Sequence, residues 1–196
     1  WRADDPEVAR LIDLSNQAVS EGALVAARQF ADQALARVRD RRALRETVRE
    51  DLRQADLEDG RVTANAAEKH ALAGDHLAAA ALYAEAFAQV ETWDERVAAD
   101  YKFREALSLY TQGDLKGDNA ALVRAIDAYR NVLALIERDD DPDYWAATQN
   151  NLGNVLRTLG ERESGTARLE EAVLAFRAAL EELSRDRVPL DWASTQ

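Results

Sequence analysis

The stretch YWAATQ, residues 144–149, returns as DWASTQ at residues 191–196, and each copy begins two residues after a proline. The two copies are 47 residues apart. A step of the same length pairs further residues of like type: Gly160 with Gly113, Leu169 with Leu122, Ala172 with Ala125, Val173 with Ile126, Phe176 with Tyr129 and Leu180 with Leu133. Self-similarity at a fixed period is typical of repeat proteins, so the chain is predicted to consist of repeated units.

Each unit is predicted to be a hairpin of two helices. Leu152, Val155, Leu156 and Leu159 recur at steps of three and four residues, as on one face of a helix that Gly160 then ends. Thr166 is a suitable cap for a second helix. That helix carries its own apolar stripe, formed by Leu169, Ala172, Val173, Phe176, Ala179, Leu180 and Leu183.

The hairpin resembles the tetratricopeptide repeat family, which places Leu-Gly and a large residue in the first helix, then Ala, an aromatic residue and Ala in the second. Those positions are filled here by Leu152, Gly153, Leu156, Ala172, Phe176 and Ala179. Gln149 stands where the family favours Trp, and the period exceeds the usual one of about 34 residues. The resemblance implies an all-α fold, a right-handed superhelical α-solenoid of antiparallel helix hairpins in a long-period variant.

Five segments are predicted along the chain. Residues 1–60 form a degenerate N-terminal repeat and an extra charged helix, and residues 61–94, 95–142 and 143–189 form one repeat each. Residues 190–196 are the start of a truncated next repeat. Because the chain has no Met, begins at Trp1 and stops at Gln196, we expect a fragment of a longer solenoid.

The charge of the chain bears on its partners. Lys and Arg number 25 against 37 Asp and Glu, which gives a net charge of -12. This charge repels phosphates and anionic lipids, so we expect no nucleic acid and no membrane among the partners. The sequence has no Cys, hence no disulfide framework, and no apolar run near the roughly 20 residues that span a bilayer. A cytoplasmic location is expected.

An arginine-rich segment between residues 37 and 53 has two interpretations. It could present a phosphate-binding face, or it could be a solvated helix in which Arg pairs with interleaved acids at helical spacing. We favour the solvated helix, because Asp40, Glu46, Glu50 and Asp51 lie among the arginines. The segment is predicted to be one more helix, and its fusion to the preceding one is left open.

Residue patterns typical of metal sites are incomplete. Asp139, Asp141 and Asp143 alternate as in a calcium loop, but Tyr144 replaces the required Gly and no Glu closes the loop. Asp143 is instead predicted to cap the following helix, as Asn119 is for an earlier one. His70 and His76 flank a turn, and His70 is predicted to lie in the core rather than bind zinc.

Motifs for catalysis are lacking in the sequence. It has no glycine-rich phosphate loop and no Gly-x-Ser-x-Gly nucleophile elbow. Nothing selects an acid-base pair among 37 carboxylates. We therefore expect no enzyme activity and no cofactor.

The family resemblance implies that the first helices of successive repeats line a concave groove for a peptide or protein. On one such helix, polar residues at steps of three and four share a face, and Asn side chains suit a peptide backbone because they both donate and accept hydrogen bonds. A face that merely solvates the helix is the alternative interpretation. The predicted binding residues are Asn150, Asn154, Arg157 and Thr158, joined from the preceding first helix by Lys102, Phe103 and Tyr110.

Three functional hypotheses follow. The first is a non-catalytic scaffold that binds a peptide or protein partner in the groove. The second is a sensor or regulatory arm of a larger bacterial-type enzyme or signalling protein whose catalytic domain lies outside this sequence. The third is self-association through apolar surface at the open end of the solenoid, after residues 176–183.

Overall fold

A computed structural model describes residues 5–182 of the chain. Within that range the structure is all-α, with seven helices and no strand. The helices are α1 (Pro6–Ser20), α2 (Leu24–Leu72), α3 (His76–Val90), α4 (Glu95–Lys116), α5 (Asn119–Leu135), α6 (Pro142–Gly160) and α7 (Ala167–Glu182). The expected truncated repeat at 190–196 lies outside the described residues, as does Leu183.

The chain divides into two compact units, Trp1–Gln54 and Ala55–Gln196. In the first unit, α1 packs along the beginning of α2. The Ser15 hydroxyl donates a hydrogen bond to the Ala27 carbonyl at 2.9 Å, and the Arg37 guanidinium donates to the Asp5 carboxylate at 2.8 Å. Asp5 also accepts from the Glu7 amide at the start of α1. That carboxylate therefore links the two helices, and the Arg37 hydrogen bond lowers its pKa.

A single helix, α2, replaces three predicted segments. The second helix of the first repeat, the charged helix and the first helix of the next repeat are continuous from Leu24 to Leu72. The predicted boundary at residue 60 falls inside this helix. Gly60 does not end it, because the glycine is buried and a β-carbon there would lie 2.5 Å from the Val90 side chain. The glycine thus allows close approach of α3.

In the second unit, helices α3 to α7 pack on one another in sequence order. The arrangement is consistent with a helical repeat. Its largest core cluster joins the hairpin α4–α5 to the hairpin α6–α7, with Leu109, Leu122, Ile126, Leu156 and Leu159 among its members. The apolar stripe predicted for α6 is confirmed, since Leu152, Val155, Leu156 and Leu159 are all buried. The stripe predicted for α7 is confirmed only in part, because Ala172 and Ala179 are buried but Val173 is 47 % exposed.

Aspartates begin most of the helices. The caps are Asp5, Asp75, Asp94, Asp118 and Asp141, each accepting a hydrogen bond from an amide in the first turn of its helix. The predictions of Asn119 and Asp143 as caps are wrong. Asn119 is the first residue of α5, so the cap is Asp118. Pro142 takes the first position of α6, so the cap is Asp141 and Asp143 lies inside the helix.

Small residues repeat where two helices cross. A β-carbon at Gly113 would lie 2.4 Å from Leu122, and one at Gly160 would lie 2.9 Å from Leu169. These two glycine–leucine contacts are equivalent positions of the 47-residue repeat. Gly153 makes a similar contact, because a β-carbon there would lie 2.6 Å from the ring of Phe176. The two helices of each hairpin approach this closely because glycine has no side chain at these positions.

A tyrosine lies at the centre of the second unit. Tyr129 is fully buried and meets the ring of Phe103 edge to face, with centroids 5.4 Å apart. Its hydroxyl is buried without a hydrogen-bond partner among the described residues. Burial raises the pKa of this phenol far above its ordinary value. Phe176 occupies the equivalent position of the next repeat, so a hydroxyl is not required there.

Replacing Gly153 with Leu should lower the free energy of unfolding by about 1–3 kcal/mol, because the new side chain overlaps Phe176. Urea unfolding measures the change. Ala120→Leu, at an exposed position of α5, is the control and should have little effect. Equal stability of both variants would mean that Phe176 is free to move away.

Replacing Tyr129 with Phe should raise the free energy of unfolding by about 1 kcal/mol, because it removes a buried hydroxyl without a partner. The matched variant is Tyr144→Phe, which removes a hydroxyl that donates to the Ala99 carbonyl at 3.2 Å. That variant should lose a comparable amount. Thermal unfolding measures the stability of both variants. A change in stability of the same sign for Tyr129→Phe and Tyr144→Phe would contradict this account.

Candidate functional site

Three predicted binding residues share an outward face of α6. Asn150 and Asn154 are half-buried, one turn apart, and Arg157 follows at the next turn with its side chain half exposed. The amide group of Asn154 makes no hydrogen bond to any residue between 5 and 182. The start of the helix is defined by its cap, since the Asp141 carboxylate accepts a hydrogen bond from the Tyr144 amide at 2.9 Å.

The neighbouring first helix, α4, presents an apolar residue at the equivalent position. A step of 47 residues takes Asn154 to Leu107, whose side chain is 43 % exposed. Helices α4 and α6 are in contact, because the Tyr144 hydroxyl donates to the Ala99 carbonyl at 3.2 Å. We call Leu107, Asn150, Asn154 and Arg157 the α4–α6 face. Leu107 was not among the predicted residues, although the repeat offset identifies it.

Three of the predicted residues belong to the packing rather than to this face. Thr158 is only 7 % exposed, which corrects its assignment to the face. Phe103 lies between the rings of Tyr129 and Tyr144, with centroids 5.4 and 5.5 Å away. Tyr110 is partly buried against the main core cluster. Their side chains stabilise the contact between hairpins, and Phe103 and Tyr110 remain partly exposed.

Lys102 is engaged inside the protein. Its ammonium group donates to the Glu105 carboxylate at 2.7 Å and lies 4.0 Å from the centroid of the Phe87 ring. Both charged side chains are largely buried. This pair explains how a carboxylate can occupy a largely buried position on α4.

The arginine of the α4–α6 face is paired with an acid of its own helix. The Arg157 guanidinium donates to the Glu161 carboxylate at 3.0 Å. An exposed ion pair of this kind contributes about 0–1 kcal/mol, so a ligand carboxylate could displace Glu161 at low cost. On α4, a hydrogen bond to Asp100 likewise raises the pKa of Arg104.

Neither candidate metal pattern forms a site. His70 is exposed rather than in the core as predicted, and its Nδ1 lies 3.6 Å from the Asp75 carboxylate. Asp141 is occupied as the cap of α6 and as the partner of Arg96 at 2.5 Å. Across residues 5–182, no group of three or more His, Asp or Glu side chains is placed to hold a metal.

Among the helices of the described region, none combines the length and the apolar character needed to cross a bilayer.

Two surface cavities on α7 were missed by the sequence reasoning. One, of about 570 Å³, is lined by Thr166, Leu169, Glu170, Val173, Leu174 and Arg177. The other, of about 270 Å³, lies between α5, α6 and α7 beside an ion pair of 2.7 Å from Arg130 to Glu171. Leu174 lines both cavities, and at the equivalent position α5 has Asp127. The replacement of the exposed Asp127 by Leu174 in the next repeat is the sequence signal that could have indicated these cavities.

Replacing Glu105 with Ala should lower the free energy of unfolding by about 2–3 kcal/mol, because it leaves the Lys102 ammonium largely buried without its partner. The double variant Lys102→Met, Glu105→Leu should recover most of the loss. Urea unfolding of Lys102→Met, of Glu105→Leu and of the double variant gives the coupling energy. A coupling near zero would mean that Lys102 reaches solvent and is free to bind.

In the comparisons with known proteins, no protein-family model matches this sequence, and no curated protein was found to be similar to it.

Proposed function

We propose that this chain is a non-catalytic protein-binding module that holds an extended peptide, or an extended segment of a partner protein, on the α4–α6 face. The observation that carries the proposal is that Leu107, at the repeat position equivalent to Asn154, is 43 % exposed on α4, the first helix that precedes α6. An exposed apolar residue on one first helix and amide groups on the next offer the two kinds of contact that an extended peptide makes.

The amides provide the polar part of this recognition. An Asn side chain offers two donors and a carbonyl acceptor, so it can bind both groups of a peptide unit. Asn154 is suited to this role because its amide is not used by the described part of the chain. Arg157 adds a positive charge that a ligand carboxylate can reach by displacing Glu161. Leu107 supplies apolar contact area.

The finer features of the fold are part of the same proposal. We infer a right-handed superhelical solenoid similar to the tetratricopeptide repeat, supported by the 47-residue period and by helices that pack in sequence order. In such a solenoid, successive first helices lie side by side and form a continuous surface. A cytoplasmic location is in keeping with the cysteine-free sequence.

A library of displayed random peptides, selected against the chain, tests this function. Affinities of selected peptides are then measured by fluorescence anisotropy for the wild type and for a Leu107→Asp, Asn154→Ala variant. We expect the variant to bind at least about tenfold more weakly, since it loses one apolar and one polar contact.

The control variant is Val123→Asp, Asn131→Ala on α5. Val123 is 41 % exposed, close to the 43 % of Leu107, and Asn131 is exposed. The control should bind selected peptides as the wild type does. Equal affinity for all three proteins, or equal loss in both variants, would contradict binding at the α4–α6 face.

A further inference from the structure

The middle of α2 carries an apolar ridge that meets solvent. Leu44, Val48 and Leu52 recur at steps of four residues, and each side chain is more than half exposed. We call these three residues the α2 ridge. Helix α1 does not cover them, because Asp5 at its start contacts α2 at Arg41 and the ridge lies further along. Apolar residues on one stripe are the feature by which a helix packs on another element.

A row of arginines runs beside the ridge. Arg41, Arg45 and Arg49 also recur at steps of four residues, and each lies three residues before a member of the α2 ridge. Residues at this spacing are neighbours on a helix surface, so the two rows lie side by side. We call these three residues the arginine row. Like charges four residues apart repel one another and destabilise a helix, so the row is unfavourable for the chain alone.

Pairing within the helix does not neutralise the centre of this row. Arg42 pairs with Glu46 at 3.1 Å and Arg53 pairs with Glu50 at 3.0 Å, as expected for a solvated helix. Arg45 differs, because the residues three and four positions away on either side are three arginines and a valine. It forms no ion pair with any residue between 5 and 182. Its charge is therefore available to an acid from outside the helix.

The charge of this segment favours an acidic partner. Residues 37–53 contain seven Arg against four Asp and Glu, although the whole chain carries a net charge of -12. Complementary charge across an interface selects the partner and orients it. An anionic lipid surface fits less well, because it requires a broad apolar face and the α2 ridge is one residue wide.

A second copy of this chain does not supply the matching acids. In an antiparallel pair of α2 helices packed through the ridge, the two arginine rows face each other. In a parallel pair, the arginine row faces the opposite edge of the ridge, where the residues are Thr47, Asp51 and Ala55. Neither arrangement places a row of acids against the row of arginines.

We propose that the α2 ridge and the arginine row form a docking site for an acidic amphipathic helix of a partner protein. Aliphatic residues of that helix pack on Leu44, Val48 and Leu52, and Glu or Asp residues along one of its edges pair with the arginine row. This packing removes the exposed ridge from water and relieves the repulsion between the arginines. The site lies within the unit of residues 1–54, is separate from the α4–α6 face and does not depend on it.

The probe is a fluorescein-labelled synthetic peptide of three heptads, with Leu at positions a and d and Glu at positions e and g. Fluorescence anisotropy during titration with the full 196-residue chain measures binding. We expect saturable binding that is at least about tenfold weaker for an Arg45→Glu chain, because an attraction becomes a repulsion. A Val48→Asp chain should also bind at least about tenfold more weakly, since it places a charge in the apolar contact. A peptide with Lys in place of Glu should bind the Arg45→Glu chain more tightly than the wild type.

The matched control chain is Arg39→Glu, which makes the same change of charge at an exposed arginine on the side of α2 opposite Val48. It should bind the probe as the wild type does. Circular dichroism and thermal unfolding establish that the variant chains remain folded. No saturable binding to the wild type, the same affinity for the Arg45→Glu chain, or an equal loss for the Arg39→Glu chain would overturn the proposal.

Two further measurements distinguish the other occupants. Sedimentation showing self-association that Val48→Asp abolishes would overturn the proposal, because a second copy would then cover the ridge. Binding to vesicles of phosphatidylserine and phosphatidylcholine that Arg45→Glu abolishes would also overturn it, because a lipid surface would then be the occupant. A monomeric chain that binds the acidic peptide and not the vesicles supports it.

Discussion

Close contact between glycine and a large side chain is the constraint on which the hairpins of the second unit depend. Gly113 faces Leu122, and Gly160 faces Leu169, at distances that no β-carbon would allow. These contacts set how near the two helices of a hairpin can come, and therefore which apolar residues reach the core between hairpins. Positions away from the crossings are less constrained. Leu107 and Asn154 are equivalent in the repeat and yet differ completely in polarity.

Much of the helical architecture could be predicted, because it depends on local spacing. The stripes of α6 and α7 follow from apolar residues at steps of three and four, which any helix brings to one face. The role of Gly60 could not be predicted in this way. Gly22 and Gly74 stand in turns with positive φ angles, whereas Gly60 lies within α2 to make room for Val90. The difference is set by a helix distant in sequence.

The candidate site could be predicted only in part, for a related reason. Helical spacing places Asn150, Asn154 and Arg157 on one face, and the structure keeps them together. Thr158 stands at the edge of that face, so a small rotation of α6 against its neighbours decides its burial. Lys102 and Glu105 have the spacing of an intrahelical pair, but their burial depends on Phe87 from α3. Contacts between helices, which spacing does not encode, account for both outcomes.

Arg162 has a consequence for how the second unit opens. Its guanidinium group lies after α6 but is bound to the end of α4 through the Gly113 carbonyl and to the start of α5 through the Asn119 side chain. Solenoids open in neighbouring blocks, since each element contacts only those next to it. This arginine crosses from one block to the next. Fraying of the α6–α7 hairpin must therefore also break the hydrogen bonds that Arg162 makes to the preceding hairpin, so this one side chain couples the opening of the two hairpins.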